Sequence, residues 1–467
     1  MLKTLSKILP LLDHLYIFQV LEYKPIFFIS WFLKHLFARN LQRKHRLEYT
    51  SKIKLLLLFT LGWIYLSWQS IGLFLTFLVL VFISPIFILL GFITYLPLDI
   101  YFKRKILNQA KEKLAALPKL KIIAITGSYG KTSTKDMLYT LLWKKFRVVK
   151  TPKSYNTPLG LAQTILDYLK PNTEVFIAEI GTYKKGEIKY LTNFLNPKIG
   201  VITAVAPQHL ERFGSLENIA HAKFELVENL NPKSQAFLNG ENQWLQKLAS
   251  HIASHIGSGN VEFYGQKSRY FASGIKFTKN GTSFTLHTPS GNSQITLPLI
   301  GEHHVKNFVA AATVALNLGV STDEIEKRAA KLLPTPHRLE IKKHNGQTII
   351  DNTYNTNPES ARAALKLLQN LPGSPKVVIT PGLVELGWEA TRENRAFAKE
   401  AVRVADYIII VGEYAKHDLL SSLSTNKFPR EKTFKAATLN QAFLILREIT
   451  KPGSVVLLEN DLPDQYF

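Results

Sequence analysis

Between Lys54 and Asp99 the chain carries no charged side chain. These 44 residues are almost unbroken hydrocarbon, Leu55–Trp68 and then Ile71–Leu96. That is too long for one membrane span and suits two of about 20 residues, placed within about 53–98. Ser67–Ser70, with Trp68 at an interface, is expected to turn the chain between them. Arg39, Arg43, Lys44, Arg46, Lys52 and Lys54 precede the stretch, and Lys103, Arg104, Lys105, Lys111 and Lys113 follow it. Basic flanks stay in the cytoplasm, so two basic flanks predict a transmembrane helical hairpin with both ends inside. The alternative is a buried helical hairpin in a soluble core, for which the stretch is long.

Residues 1–37 are apolar and aromatic, interrupted by Lys3, Lys7, Asp13, Glu22, Lys24 and Lys34. No small-residue cleavage site is evident and the apolar character continues, which disfavours a signal peptide. An interfacial helix on the membrane fits better. Tyr101–Leu117 reads as a charged linker helix ended by Pro118. The net charge of the 467 residues is +23, and residues 1–121 hold 17 Lys/Arg against 5 Asp/Glu. This charge flanks apolar runs, which points to membrane lipid as partner. With no RNA-recognition signature present, nucleic acid is not expected. The chain has no cysteine, which excludes disulfides, cysteine catalysis and Cys-type zinc sites.

From Lys119 the pattern changes. Ile122–Ile125 reads as a short buried strand, Gly127-Ser-Tyr-Gly130 as a tight turn, and Lys131-Thr132 as the opening of a helical run, Lys135–Leu142. Strand, Gly-rich turn and helix N-terminus make a phosphate cradle of Gly127, Ser128, Gly130, Lys131, Thr132 and Ser133. Lys131 reaches the β- and γ-phosphates and Thr132 can ligate Mg²⁺. The usual P-loop has a further glycine where Ile125 stands. Strand-like runs recur at Val175–Ile180, Ile199–Val205, Val377–Thr380, Tyr407–Val411 and Val455–Leu458, with helical runs between. That alternation argues for doubly wound parallel sheets. Residues 260–300 look like short antiparallel strands, with turns at Asn280-Gly281 and Ser290-Gly291-Asn292. A boundary is expected near Pro334-Thr-Pro336, and a strand-rich unit follows from Ile341. The fold class is therefore α/β, in three parts. These are a membrane-associated helical region (1–117), a central P-loop doubly wound domain (118–335) and a C-terminal Rossmann-like α/β domain (336–467).

Several later runs fall into one pattern. They are Ser154-Tyr-Asn-Thr-Pro-Leu-Gly160, Ala178-Glu-Ile-Gly181, Gly186-Glu-Ile188, Ile202-Thr-Ala-Val-Ala-Pro-Gln-His-Leu-Glu211 and Phe213-Gly-Ser215. Ile219-Ala-His-Ala-Lys-Phe-Glu225, Gly301-Glu-His-His-Val-Lys-Asn307, Pro336-His-Arg338 and Ile350-Asp-Asn-Thr-Tyr-Asn-Thr-Asn-Pro358 complete it. In this order and spacing, residues 119–467 resemble the Mur ligase family, which makes amide bonds of peptidoglycan precursors with ATP. The likeness is closest to the type that adds D-alanyl-D-alanine to a muramoyl tripeptide.

The resemblance implies ATP and Mg²⁺, and an acyl phosphate formed on a carboxylate and attacked by an amine. A cell-wall precursor and an amino acid or dipeptide would be the substrates, and other wall-synthesis proteins the partners. Clamped phosphates, metal and cationic stabilisation are what such chemistry needs. Glu179 and His209 would bind metal. Lys223 would be carbamylated and hold a second Mg²⁺. Asn307 would contact the adenine, Arg338 the γ-phosphate and Asp351 the ribose. Asn156 and Thr157 would lie near the acyl phosphate, with Tyr354, Asn355 and Asn357 at the substrate. Taken singly, a strand-end Glu is a solvated charge, His209 a cap or core histidine, Lys223 an exposed helical lysine, and Asp351–Asn355 a polar turn.

Three departures stand out. A membrane segment takes the place of the family's UDP-sugar domain. Thr380-Pro-Gly-Leu-Val-Glu-Leu-Gly387 lacks the family's Asp. Glu459-Asn-Asp-Leu-Pro-Asp464 replaces a late Lys-Gly-Ser-Arg motif. The expected protein is an ATP-dependent ligase on the cytoplasmic face of the inner membrane. The alternatives are a non-catalytic, membrane-anchored ATP-binding scaffold and a folylpolyglutamate-type ligase. A transporter ATPase is disfavoured, because two spans provide little pathway.

Overall fold

The computed structural model describes residues 11–34, 47–252, 261–278, 281–354 and 356–461. Asn355, Asn280 and the basic run Arg39 to Arg46 lie outside them. The chain forms two compact units, Met1–Ile106 with the last residues, and Leu107–Asp461.

The first unit is all helix. Residues 11–34 form two short helices, Leu11–Val20 and Pro25–Lys34, rather than a single interfacial one. Glu22 and Tyr23, both at positive φ, separate them. Their inner faces join the next helices in one core, where Leu15, Ile17, Phe18, Phe28, Ile53, Leu56 and Ile88 are fully buried.

Helix Ser51–Ile71 is capped by the Thr50 side chain, which accepts from Ile53 N. It runs straight through Ser67–Ser70, where the turn was expected. The break comes at Gly72, whose φ of 80° suits glycine. Leu73–Ile83 follows, and then a single 31-residue helix, Pro85–Ala115, that absorbs the expected linker helix and carries Pro97 inside it. Among the described residues this is the one helix long and apolar enough to cross a membrane. The sequence-based expectation of two full spans is not borne out: only one described helix has the length and apolarity for a span.

Helices 51–71 and 85–115 pack antiparallel. Phe59 lies against Tyr95 at 6.3 Å between ring centroids. A Cβ on Gly91 would stand 2.6 Å from Thr60 Oγ1. Lys52 Nζ meets Asp99 Oδ2 at 3.3 Å. Outward, Leu58, Leu61, Leu66, Leu73, Phe74 and Leu75 are exposed.

The second unit holds two six-stranded sheets. The first contains β1 (Lys121–Thr126), β2 (Val148–Lys150), β3 (Val175–Glu179), β4 (Ile199–Ile202), β5 (Gln235–Asn239) and β6 (Val261–Tyr264), all parallel, in the order β2-β3-β1-β4-β5-β6. Strand order reverses at β1, and such a switch point opens a crevice beyond the strands' C-terminal ends. Helix Lys131–Leu142 leaves β1 and packs on helix Glu302–Asn317, burying Ile123, Ile125, Leu138, Leu141, Phe308 and Ala311. β7 (Phe271–Thr278), β8 (Gly281–Thr288) and β9 (Gly291–Leu297) form the antiparallel sheet expected within 260–300.

The other six-stranded sheet runs β10-β11-β15-β12-β13-β14. β10 (Glu340–His344) and β11 (Gln347–Asn352) are an antiparallel hairpin. β12 (Lys376–Thr380), β13 (Tyr407–Val411), β14 (Thr433–Ala436) and β15 (Val455–Glu459) are parallel to β11. The α/β class and the six strand runs read from the sequence coincide with strands β1, β3, β4, β12, β13 and β15.

Candidate active site

The loop after β1 is shaped by two glycines. A Cβ on Gly127 would fall 2.0 Å from Thr203 Oγ1, and one on Gly130 would fall 2.4 Å from Asn307 Oδ1. Both have positive φ, so glycine is required twice over. Ser128 pins the loop by donating its hydroxyl to Ala206 O and accepting from Ala206 N, each at 2.9 Å. The Thr203 hydroxyl donates to Thr126 O at 3.2 Å and also reaches Tyr129 O. Ser133 accepts from the Thr335 hydroxyl at 3.3 Å, tying the helix start to the segment before β10.

Lys131 folds back to donate to Gly127 O and Ser128 O. Burial brings its amine down to about 8, against the opposing pull of Glu179 and with Arg338 adding to the fall. The Thr132 hydroxyl is buried and has no partner. A buried hydroxyl at a helix N-terminus with no partner among the described residues fits the role of a Mg²⁺ ligand.

Glu179, at the end of β3, is fully buried. Its Oε2 accepts from Lys135 Nζ at 3.1 Å and its Oε1 from Asn156 Nδ2 at 3.3 Å. Asn156 therefore stands beside the candidate metal ligand. Lys135, one turn beyond Thr132, was not foreseen, because its role shows only in the tertiary contact. Thr157 caps helix Pro158–Tyr168, its side chain accepting from Gly160 N. Asn357 likewise caps helix Pro358–Asn370. Both side-chain oxygens have structural work.

Lys223 lies in helix Leu216–Glu228 and is 3 % exposed, which excludes the reading as an exposed lysine. Burial, and then the charge of Lys131, push its amine well below 10.5. The neighbouring Glu225 carboxylate accepts from Gly186 N at 2.7 Å and Lys189 N at 3.0 Å, and so is committed to the N-terminus of the earlier helix Glu187–Leu195. Burial lowers the His209 imidazole, with Glu385 opposing and the charges of Lys223 and Lys131 adding to the fall, and burial lowers Arg338 against the pull of Glu179.

Arg338 comes from the linker before β10. Its guanidinium sits 4.7 Å from the centre of the Tyr354 ring, and Tyr354 Oη meets Ser154 Oγ at 2.5 Å. Between the two sheets, a pocket of ≈ 270 Å³ is lined by Tyr129, Tyr264, Asn307, Arg338, Tyr354 and Arg362, among others. Asn307 is therefore at the pocket and against the phosphate loop at once. Asp351 does not line it, although its neighbour Asn352 does. The Asp351 carboxylate is held by His337 Nδ1 at 2.8 Å, Lys342 Nζ at 2.7 Å and Thr353 Oγ1 at 2.7 Å.

Matches to known proteins follow the same outline. The family model for the Mur ligase middle domain matches residues 125–315, and that for the Mur ligase, glutamate ligase domain, residues 337–459. A UDP-N-acetylmuramoyl-tripeptide–D-alanyl-D-alanine ligase of Buchnera aphidicola is 32% identical over 341 residues, 71% of this chain and 73% of the relative. The Escherichia coli (strain K12) enzyme of that name is 33% identical over 320 residues, 67% of this chain and 69% of the relative. A crystal structure of MurF from Acinetobacter baumannii superposes with a TM-score of 0.70 at 28% identity, covering 78% of each chain.

Proposed function

Because the chain belongs to the Mur ligase family, we propose that it is an ATP-dependent ligase of peptidoglycan precursor synthesis that joins D-alanyl-D-alanine to a muramoyl tripeptide. The observation that carries this is the glycine-shaped loop after β1, which leads to Lys131 and the buried Thr132 hydroxyl, with buried Glu179 ending the adjacent strand β3. A non-catalytic scaffold has no need of a fully buried Glu179 beside buried lysines, each costly to desolvate.

The reaction has two steps. An oxygen of the acceptor carboxylate attacks the γ-phosphorus of ATP, and the bond to the β-phosphate oxygen breaks to release ADP. The dipeptide amine then attacks the acyl carbon, the bond to phosphate breaks, and the amine gives up a proton. Lys131 and Arg338 approach the γ-phosphoryl group as cations and offset the charge that develops on it. The 127–130 loop supplies backbone N–H groups to the phosphates. Asn156 and Lys135 hold Glu179 in place. Thr132, Glu179 and His209 form a set of hard and borderline donors that suits Mg²⁺, with Lys223 joining as a carbamate. Bound there, Mg²⁺ would neutralise phosphate charge. The pocket beside Asn307 would take the adenosine half.

The finer part of the proposal is location. The uncharged helices of the first unit, with exposed Leu58, Leu66, Leu73 and Phe74, would hold the ligase on the cytoplasmic face of the membrane. The test is the full chain in lipid vesicles with ATP, UDP-linked muramoyl tripeptide and D-alanyl-D-alanine, reading ADP and the ligated product. Lys131→Ala should abolish turnover without unfolding the protein. Near-normal ligation by that variant would overturn the phosphate-cradle assignment. Turnover of wild type only with another acyl and amine pair would overturn the substrate assignment.

A further inference from the structure

Glu385 is the part of the Thr380–Gly387 run that departs from the family pattern and yet keeps its acid. It belongs to the C-terminal sheet's loop after β12, whereas His209 belongs to the central sheet's loop after β4. The two meet, His209 Nδ1 on Glu385 Oε2. Their side chains are only 11 % and 18 % exposed, unlike an ordinary surface ion pair. Both residues have left-handed backbones, φ 52° for His209 and φ 60° for Glu385. Non-glycine residues adopt that region at a cost and cluster where function fixes them.

The surroundings hold the pair in register. Glu211 N donates to Glu385 O at 3.2 Å. Gly387 lies so close that a Cβ there would stand 3.1 Å from Glu211 Cα. Trp388 Nε1 donates to Gly214 O at 3.4 Å. The Tyr183 ring meets the imidazole edge-on at 4.7 Å between centroids, and the Arg212 guanidinium covers that ring at 4.4 Å.

An ionised carboxylate only accepts hydrogen bonds, so the proton of this contact belongs to Nδ1. The Nε2 lone pair is then free to face a metal. Metal-binding histidines commonly donate their other ring N–H to a carboxylate, which fixes tautomer and orientation. We propose that Glu385 is a positioning residue, brought by the C-terminal domain, that holds His209 with Nε2 presented to Mg²⁺. Docking of the C-terminal domain then completes the metal site of the central one. This rests on the assignment of His209 as a metal ligand.

The test uses the full chain in detergent with a non-hydrolysable ATP analogue and follows Mn²⁺ binding by electron paramagnetic resonance. Analogue binding is measured separately by calorimetry. Glu385→Ala should weaken Mn²⁺ at one site by roughly 10- to 100-fold, with analogue affinity in excess metal unchanged. Glu385→Gln, whose amide oxygen still accepts from Nδ1–H, should recover most of that loss and keeps the test open if the Ala variant folds poorly. Wild-type Mn²⁺ affinity in Glu385→Ala, beside weakened binding in His209→Ala, overturns the positioning role alone. Wild-type affinity in both variants overturns the His209 metal assignment and the proposal with it.

Discussion

Lys223 brings the physical problem of this site down to one amine. Carbamylation needs a neutral amine, and burial, with the charge of Lys131, shifts Lys223 in that direction, well below 10.5. The carbamate would then turn a cation into an oxygen ligand. Lys223→Ala is expected to lose activity on the order of 100-fold, and added bicarbonate or short carboxylic acids should restore part of it. Full activity in the variant without additives would remove Lys223 from the mechanism. Glu459 poses the opposite case. It is fully buried at the end of β15, where Asn352 Nδ2 donates to both its oxygens at 3.1 and 3.0 Å. Burial raises its carboxyl from 4.5 to about 8. Its favourable contribution is complete below the unfolded value of 4.5 and is lost as pH rises through about 8. Glu459→Gln keeps an acceptor for Asn352 and removes the titration. The variant should match wild type near pH 4.5 and gain on it as pH rises, by about 3 kcal/mol at neutral pH. Denaturant melts at a series of pH values measure this, and parallel pH profiles would refute it.

At the scale of elements, the strands were legible because each is a short apolar run beside turn chemistry. The strand, turn and helix start from β1 to Lys131 were legible together, since glycine spacing fixes backbone geometry directly. The turn of the apolar hairpin was not. Ser67 and Ser70 looked like a break, but a serine can satisfy itself inside a helix. The Ser70 hydroxyl donates to Leu66 O at 2.8 Å, and the helix continues to Gly72. Lys135 and Glu385 were illegible for a different reason, because each acts through a partner distant in sequence. Helix pairing in the first unit was also beyond the pattern, and it depends on one small residue. Gly91 lets helix 85–115 close on Thr60, whose backbone N would be 2.8 Å from an added Cβ. Small residues of this kind allow close backbone approach where lipid and side chains are equally apolar. Gly91→Leu should therefore separate helices 51–71 and 85–115 while leaving the ligase unit folded. Cysteines introduced at Phe59 and Tyr95 should crosslink in wild type, which has no cysteine of its own, and fail to do so with Gly91→Leu. Undiminished crosslinking would show that the glycine is dispensable.

At the scale of the whole molecule, the proposed membrane location is tested by the faces on which the two ends of the helical unit would lie. Length alone favours helix Pro85–Ala115, and helix Ser51–Ile71, at 21 residues, spans about 31 Å, the thickness of a hydrocarbon core. Charge placement decides between one crossing and two. Lys52 and Lys103 both pair with Asp99, at 3.3 and 2.6 Å, so one basic residue from before the uncharged stretch and one from after it meet at the same end of the helix pair. Within the proposed membrane location, an odd number of crossings would put Lys52 and Lys103 on opposite faces, whereas both pair with Asp99. It would also leave one Lys/Arg cluster outside, against the positive-inside preference. The chain should therefore return to the side it left. A reporter fused at the N-terminus and one fused after Lys121 should both report the cytoplasm, and opposite sides would mean one crossing or three. Removing residues 1–100 should release the ligase unit from the membrane fraction in soluble form, with helix Lys131–Leu142 and strand β3, which carry Lys131 and Glu179, untouched. If that truncated protein stays with the membrane, residues beyond 100 hold it there and the helical unit is not the anchor.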